Sequence, residues 1–336
     1  MSSLIEQAAK RLEELRRAGI DIPPVHGFGT SRFDAEELDA DPRTAAPRPG
    51  KPRERAAQEE APARKSSAKA DSTTKTVPLP DGNEVIIVDD KARTAKPQRQ
   101  VEIDMVRLAA MGYLVPTHAQ SLLADLLRVI KRPLLQNMRR APEMGGPARR
   151  GNVIVVTSAV PGEGKTFVAT NLAMSIAMEV DHAALLIDGD VLRPSVFNRL
   201  NLEPQSGLMD VLVNPSLRVT DLMVGTNVSK LSLLSAGTAH DRAEELLASA
   251  SMDRLLDQLS MLYHDRVIII DSPPLLVTTE SRALAERAGQ VVLVVEADKT
   301  PREQISRAFD TLSNCPIVLS VLNKSRAIES DYVYGY

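Results

Sequence analysis

A doubly wound, mainly parallel α/β sheet is the fold class that three observations predict for residues 151–326. Short apolar runs alternate there with segments of helical period, the pattern of β-α-β units rather than of hairpins. The runs at 153–157, 267–270 and 291–295 are almost wholly β-branched, as strands covered on both faces are. The residues able to carry polar chemistry fall just past the ends of such runs, on the rim where ligands of open α/β sheets bind.

Ahead of that core the chain changes character three times. Residues 1–20 place Leu4, Ile5, Ala8, Leu12 and Leu15 at helical spacing with charges opposite, and Ser3 with Glu6 forms a capping-box pattern, so an amphipathic helix is expected. Residues 21–100 shift to Pro, Ala, Arg, Lys, Glu and Ser. The stretch 41–76 has almost no large apolar residue and cannot offset its ordering entropy, so a mostly disordered linker is expected, with a strand-like island at 84–88. Residues 101–150 form a helical lead-in: Ile103, Val106, Leu108 and Met111 run into Gly112, and Leu122, Leu123, Leu126, Leu127, Ile130 and Leu134 follow. On the second of these helices Arg128, Lys131 and Arg132 read either as a solvated face or as a contact for acidic residues of an identical neighbour.

Composition narrows the function. A 43% hydrophobic share with 25% charged residues suits a globular core over part of the chain. A net charge of −3 gives no reason to expect a nucleic-acid partner. The single cysteine, Cys315, excludes an internal disulfide and fits a reducing compartment. Charges at Glu6, Lys10, Arg11, Glu13 and Glu14 argue against a signal peptide, and no apolar run approaches the roughly 18 residues of a spanning helix. The expectation is a cytoplasmic protein that reaches a membrane only through a partner.

The first core strand, 153–157, runs into Ser158-Ala159-Val160-Pro161-Gly162-Glu163-Gly164-Lys165-Thr166 and then a helix at 167–178. Strand, glycine-bearing turn and helix in that order make a P-loop, so the sheet is of the P-loop NTPase type. Gly162 and Gly164 let backbone N–H groups turn inward around phosphate oxygens, and the helix aims its positive end at them. Lys165 can reach the β- and γ-phosphates of ATP, and the Thr166 hydroxyl can ligate Mg²⁺. Ala159 stands where the pattern has its first glycine.

Further strands are expected at 183–187, 231–234, 267–270, 291–295 and 317–322, with helices at 243–262, 279–288 and 302–312. The second strand ends in Asp188-Gly189-Asp190, followed by Arg193-Pro194, and the strand at 267–270 ends in Asp271. A carboxylate at a strand tip beside a P-loop holds Mg²⁺ or its waters. Two such strands suggest a divided task, one carboxylate anchoring the metal and the other polarising an incoming nucleophile. The last five residues hold three of the five tyrosines, Tyr332, Tyr334 and Tyr336, after a polar stretch with no core pattern. Such a tail, residues 327–336, is suited to enter an active site as substrate. The five histidines are scattered without ligand spacing.

Together the P-loop at 159–166, the carboxylates at 185–194 and 268–274, and the tyrosine tail resemble the bacterial tyrosine kinases. These are P-loop autokinases unrelated in fold to eukaryotic protein kinases. The stretches 207–212 and 243–249 are similar to that family too, and residues 3–15 and 128–134 resemble its exosortase- and exopolysaccharide-associated branch. The resemblance implies that Val160, Pro161, Gly162, Glu163, Gly164, Lys165, Thr166 and Phe167 bind ATP, with Asn323 recognising adenine. It implies that Thr166, Asp188 and Asp271 serve Mg²⁺, with Asp188 as ligand or base and Asp190 supporting it. Tyr332, Tyr334 and Tyr336 would be phosphorylated by a neighbouring subunit in a ring, and the partner would be an inner-membrane polysaccharide chain-length determinant. The pattern departs at Leu192, where the family often has an arginine. Two other readings exist: a partitioning or division-type P-loop ATPase, which normally carries a second lysine where this chain has Val160, and a non-catalytic nucleotide-dependent scaffold.

Overall fold

The computed structural model describes residues 75–78, 84–87, 99–145, 150–263 and 265–325. The helix expected at 1–20, most of the linker and the tail tyrosines lie outside the described residues. The chain divides into two compact units, and residues 31–95 form one of them. Within it, strands β1 (Lys75–Pro78) and β2 (Glu84–Ile87) pair antiparallel, Lys75 opposite Ile87 and Pro78 opposite Glu84. The expected island is thus one arm of a hairpin.

The other unit carries an eight-stranded sheet. Its strands are β3 (Arg99–Val101), β4 (Val153–Ser158), β5 (Ala183–Asp188), β6 (Val224–Thr226), β7 (Leu231–Leu234), β8 (Arg266–Asp271), β9 (Gln290–Glu296) and β10 (Val318–Asn323). They lie in the order β10-β9-β4-β8-β5-β7-β6-β3. Only the β6–β7 pairing is antiparallel. The mainly parallel sheet is as expected, while β3 and β6, three residues each, extend it beyond the strands the sequence predicts.

Burial explains why the central strands read as continuous apolar runs. All six residues of β4 are buried, and two apolar layers cover the sheet's two faces. One layer joins alternate residues Ile154 and Val156 to Leu172, Met174 and Ile176 of the helix after the P-loop and to Leu127 and Leu134 of the lead-in. The other joins Val153 and Val155 to Leu255, Leu256 and Leu259. The helices are α1 (Met105–Ala110), α2 (Leu122–Arg140), α3 (Lys165–Ala177), α4 (Ala250–Leu262), α5 (Thr279–Arg287) and α6 (Arg302–Thr311), beside several of four to six residues.

Between sheet and α2, helix α3 buries eleven of its thirteen residues and has no solvent stripe. Removing Leu134, fully buried in that layer, to alanine would cost about 2–5 kcal/mol. Helix α2 begins at Ser121, whose hydroxyl accepts from Ala124 N, and it continues through Pro133 to Arg140. Lys131 does not belong to a solvated face. It is buried, donates to Ser175 O at 3.0 Å and pairs with Glu179 at the end of α3. The helix expected over 243–262 is two, Ala243–Leu247 and α4, because Ser249 takes an extended conformation and caps α4 at Met252 N. Cys315 donates to Ala285 O, and burial raises its thiol to about 11, which keeps it inert. Among the described residues no helix is long and apolar enough to cross a membrane.

Candidate active site

Three loops meet at the carboxyl ends of β4, β5 and β8. Because β4 lies between β8 and β9 while the chain leaves it for β5, the crevice forms where the winding reverses. The register sets Asp188 directly beside Asp271, and Val156 of β4 on Asp271's other side.

The P-loop is pinned by its own sequence. Ser158 Oγ donates to Val160 O at 2.8 Å, and Thr157 Oγ1 to Pro273 O at 2.7 Å. Gly162 and Gly164 have φ of +89° and +95°, a region open to glycine and strained for side chains. At Gly164 a Cβ would also come within 2.1 Å of Asn323 Nδ2. Gly164 precedes α3, so the free amides of that helix's first turn face the loop's interior.

The fold brings six polar residues together. Lys165 Nζ pairs with Asp190 Oδ2 at 3.0 Å. Thr166 Oγ1 donates to Asp271 Oδ2 at 2.6 Å and lies 3.1 Å from Ser195 Oγ. Asp188 Oδ2 accepts the Ser195 and Val196 amides, each at 2.9 Å. Asp188 Oδ1 and Asp271 Oδ1 are buried and have no hydrogen-bond partner. Burial first, then the neighbouring Asp271, pushes the Asp188 carboxyl up to about 7 against the pull of the two amides. Burial likewise pushes Asp271 up to about 6, opposed by the Lys165 cation and the Thr166 hydroxyl.

Two unsatisfied carboxylate oxygens beside a threonine hydroxyl are a hard-oxygen donor set, and it fits Mg²⁺. The residues that would hold the ion are Thr166, Asp271 and Asp188. A divalent cation would supply the missing partners and neutralise the charge that burial now penalises.

Three residues of the expected ATP-binding set have side chains with partners inside the chain. The Glu163 carboxylate is buried and accepts Val160 N at 2.7 Å, Glu296 N at 3.2 Å and the Thr300 hydroxyl. Asn323 Nδ2 donates to Glu163 O at 2.8 Å. Phe167 packs against the Tyr113 ring at 4.8 Å between centroids, so its side chain faces the lead-in.

Other residues at the site escape sequence reasoning. Ser195 touches Thr166 and Asp188, yet it follows Pro194 in a stretch that reads as an ordinary turn. Lys324, just past β10, donates to Gly162 O at 2.7 Å. Tyr113 is buried with its hydroxyl unpaired, and its phenol is raised by burial and sensitive to the charges of Arg199 and Asp271. An isolated tyrosine about 50 residues ahead of a P-loop carries no signal that would mark it.

Fold and site define a P-loop nucleotide-binding protein. A family model described as an AAA domain matches residues 151–325. The tyrosine-protein kinase YwqD of Bacillus subtilis (strain 168) is 31% identical over 202 residues, 60% of this chain and 84% of that protein. The chain belongs to the bacterial tyrosine kinase family. The succinoglycan biosynthesis transport protein ExoP of Rhizobium meliloti (strain 1021) is 30% identical over 178 residues, which cover 52% of this chain but 22% of that longer protein. The kinase domain of the Escherichia coli tyrosine kinase ETK has the same fold, with a TM-score of 0.57 and 24% identity over 71% of this chain and 88% of that one.

Proposed function

We propose that the chain transfers the γ-phosphoryl group of MgATP to tyrosine hydroxyls, and that its own Tyr332, Tyr334 and Tyr336 are the acceptors, presented by one copy to the crevice of another. The observation that carries this reading is the meeting of Lys165, Thr166, Asp188, Asp190 and Asp271, with two buried carboxylate oxygens lacking partners. Phosphoryl transfer asks for positioning and charge neutralisation, and this set provides both.

In the proposed reaction the amides of residues 162–166 surround the donor's phosphates, and Lys165 lies against the β- and γ-phosphates while Asp190 orients its ammonium. Asn323 lies on the adenine side, behind the loop it braces. Bound Mg²⁺ would neutralise phosphate charge as the bond to the leaving group breaks. The tyrosine oxygen attacks the γ-phosphorus, forming one P–O bond as the bond to the β–γ bridging oxygen breaks. ADP departs with that electron pair, and the phenolic proton passes to Asp188. Asp188 Oδ1, which has no partner within the chain, is open to that proton.

Assembly and place in the cell belong to the same proposal. The copies form a ring, and an inner-membrane polysaccharide chain-length determinant recruits them and ties the kinase to exopolysaccharide synthesis or export. Arg132 and Arg139 are exposed without partners among the described residues, in a cleft of about 380 Å³ that also includes Arg128 and the Lys131–Glu179 pair. That face suits an acidic surface of a second copy. Three phosphotyrosines, each adding about −1.5 to −2 charges, would repel the tail from acidic surfaces and loosen the ring.

Incubation of the purified full chain with labelled ATP and Mg²⁺, followed by mass spectrometric mapping, tests the reading. Label is expected on the tail tyrosines and not in Lys165→Met. Label that persists in that variant, or that avoids the tail, overturns it. Earlier elution of unphosphorylated than of phosphorylated protein on gel filtration is expected, and identical elution sinks the release of the ring.

A further inference from the structure

The two loops that carry the carboxylates share a feature that nucleotide binding does not use. The loop after β5 is tied down at nearly every position. Gly189 N donates to Asp271 O at 2.7 Å, and a Cβ there would lie 2.6 Å from Ile270 Cγ2. Asp190 is held by Lys165 and by Arg193 N, Val191 is buried in the core, and Ser195 N is bound to Asp188. Leu192 is the large aliphatic side chain of this loop left in solvent, 55% exposed and two residues from the lysine's carboxylate.

The loop after β8 repeats the arrangement. Leu275 is fully buried, and its amide donates to Ser158 O at 2.8 Å. Leu276 N reaches Ala159 O at 3.1 Å. Those bonds tie the loop to the start of the P-loop and leave Val277, 60% exposed, standing free. Strands β5 and β8 are neighbours with Asp188 opposite Asp271, so the two loops leave the sheet side by side from the same level. Single exposed aliphatics are ordinary. Two of them stand on adjacent loops, tied by backbone hydrogen bonds, that leave the sheet beside Asp188 and Asp271.

Aliphatic walls have no use for phosphates or a metal. They suit a flat apolar ring whose one polar atom must reach past them to Asp188. We propose that Leu192 and Val277 form the acceptor subsite, seating the ring of the incoming tyrosine and selecting a phenol over the short hydroxyl of serine. The proposal rests on the tyrosine-kinase reading above and adds to it the residues that choose the acceptor. A serine oxygen stays close to its own backbone, so walls that hold the peptide backbone off keep that oxygen out of reach of the γ-phosphorus.

The test uses the full chain with its tail tyrosines replaced (Tyr332→Phe, Tyr334→Phe, Tyr336→Phe), so that acceptors are supplied in trans. The acceptor is a peptide with the sequence of residues 331–336, alongside the same peptide with serine for tyrosine. Leu192→Ser and Val277→Ser are each expected to raise the peptide KM about fivefold to twentyfold, with ADP affinity unchanged. Leu192→Met should restore most of the Leu192 effect, as an apolar wall requires. The ratio of tyrosine to serine transfer should fall in the double variant. If the parent protein phosphorylates the tyrosine peptide and both serine variants leave its KM unmoved, the subsite is wrong and the kinase reading stands. If the parent binds nucleotide and phosphorylates no tyrosine peptide, both fall.

Discussion

Two buried carboxylates beside the same glycine turn have opposite circumstances. Glu163 is 1% exposed, and its two oxygens take three hydrogen bonds from Val160, Glu296 and Thr300. Asp271 is equally buried, with one oxygen on Thr166 and the other on nothing. The first is a finished structural part that fixes the outer arm of the P-loop to the ends of β9 and β10. The second, with Asp188 beside it, is a site whose remaining partner must come from outside the chain. The difference separates the frame of the loop from its working side, although both are acidic and both are out of water.

The largest effect on that division is expected at Lys165, the cation of the working side. Lys165→Met should lower phosphate transfer at least about hundredfold, measured as label incorporated per copy, because it removes charge stabilisation in a water-poor site. Asp271→Asn comes next. Transfer should fall by a similar order, while the protein without metal should melt no lower than the parent at pH 8, since a buried unpaired charge is gone. Glu163→Gln should do the reverse. An amide puts a donor where an acceptor was needed, at a cost of about 1–3 kcal/mol in a urea melt, with the Mg²⁺ dependence of nucleotide binding unchanged. A Glu163→Gln protein that keeps its stability and loses its Mg²⁺ dependence would erase the distinction.

How much of this is legible beforehand follows from the distance between partners. Asp188 and Asp271 announce themselves because each ends an apolar run, and the P-loop because its turn is local. The role of Glu163 is hidden, since Glu296 and Thr300 lie 133 and 137 residues further on and only the sheet brings them back. A glutamate inside a phosphate-binding motif reads as a phosphate-side residue, and here it faces the frame. Lys131 misleads in the same way, because helical period places it beside Arg128 and Arg132 while α3 supplies a carbonyl and Glu179 to receive it. Strands β3 and β6 escape notice because three residues are too few to show a period.

The working side should also betray itself by pH. Burial raises Asp188 to about 7 and Asp271 to about 6, above the ordinary 3.8, so the folded protein holds those protons more tightly than the unfolded one. Their contribution to stability is therefore fully present below about pH 4 and is lost as pH rises through about 6 and 7. In EDTA, urea midpoints should decline over that window by an amount on the order of a few kcal/mol, and Asp188→Asn should flatten the decline. Mg²⁺ competes with those protons, so the stabilisation it confers should be larger at pH 8 than at pH 5.5. A metal effect independent of pH would separate the raised carboxylates from the metal site.

The smallest effect belongs to the frame's outermost bond. Lys324 takes a left-handed φ of 57° and reaches Gly162 O and the Glu296 carboxylate from a position about one-third exposed. Water can replace either contact, so Lys324→Met should cost less than about 1 kcal/mol and change ADP affinity less than about threefold by calorimetry. Asn323, buried one residue earlier, has no such substitute, and Asn323→Ala should cost more because Glu163 O loses its donor and a void opens beside Gly164. If the exposed lysine instead governs nucleotide affinity and the buried asparagine does not, the outer arm is a moving part and cannot be the rigid frame against which the carboxylates work.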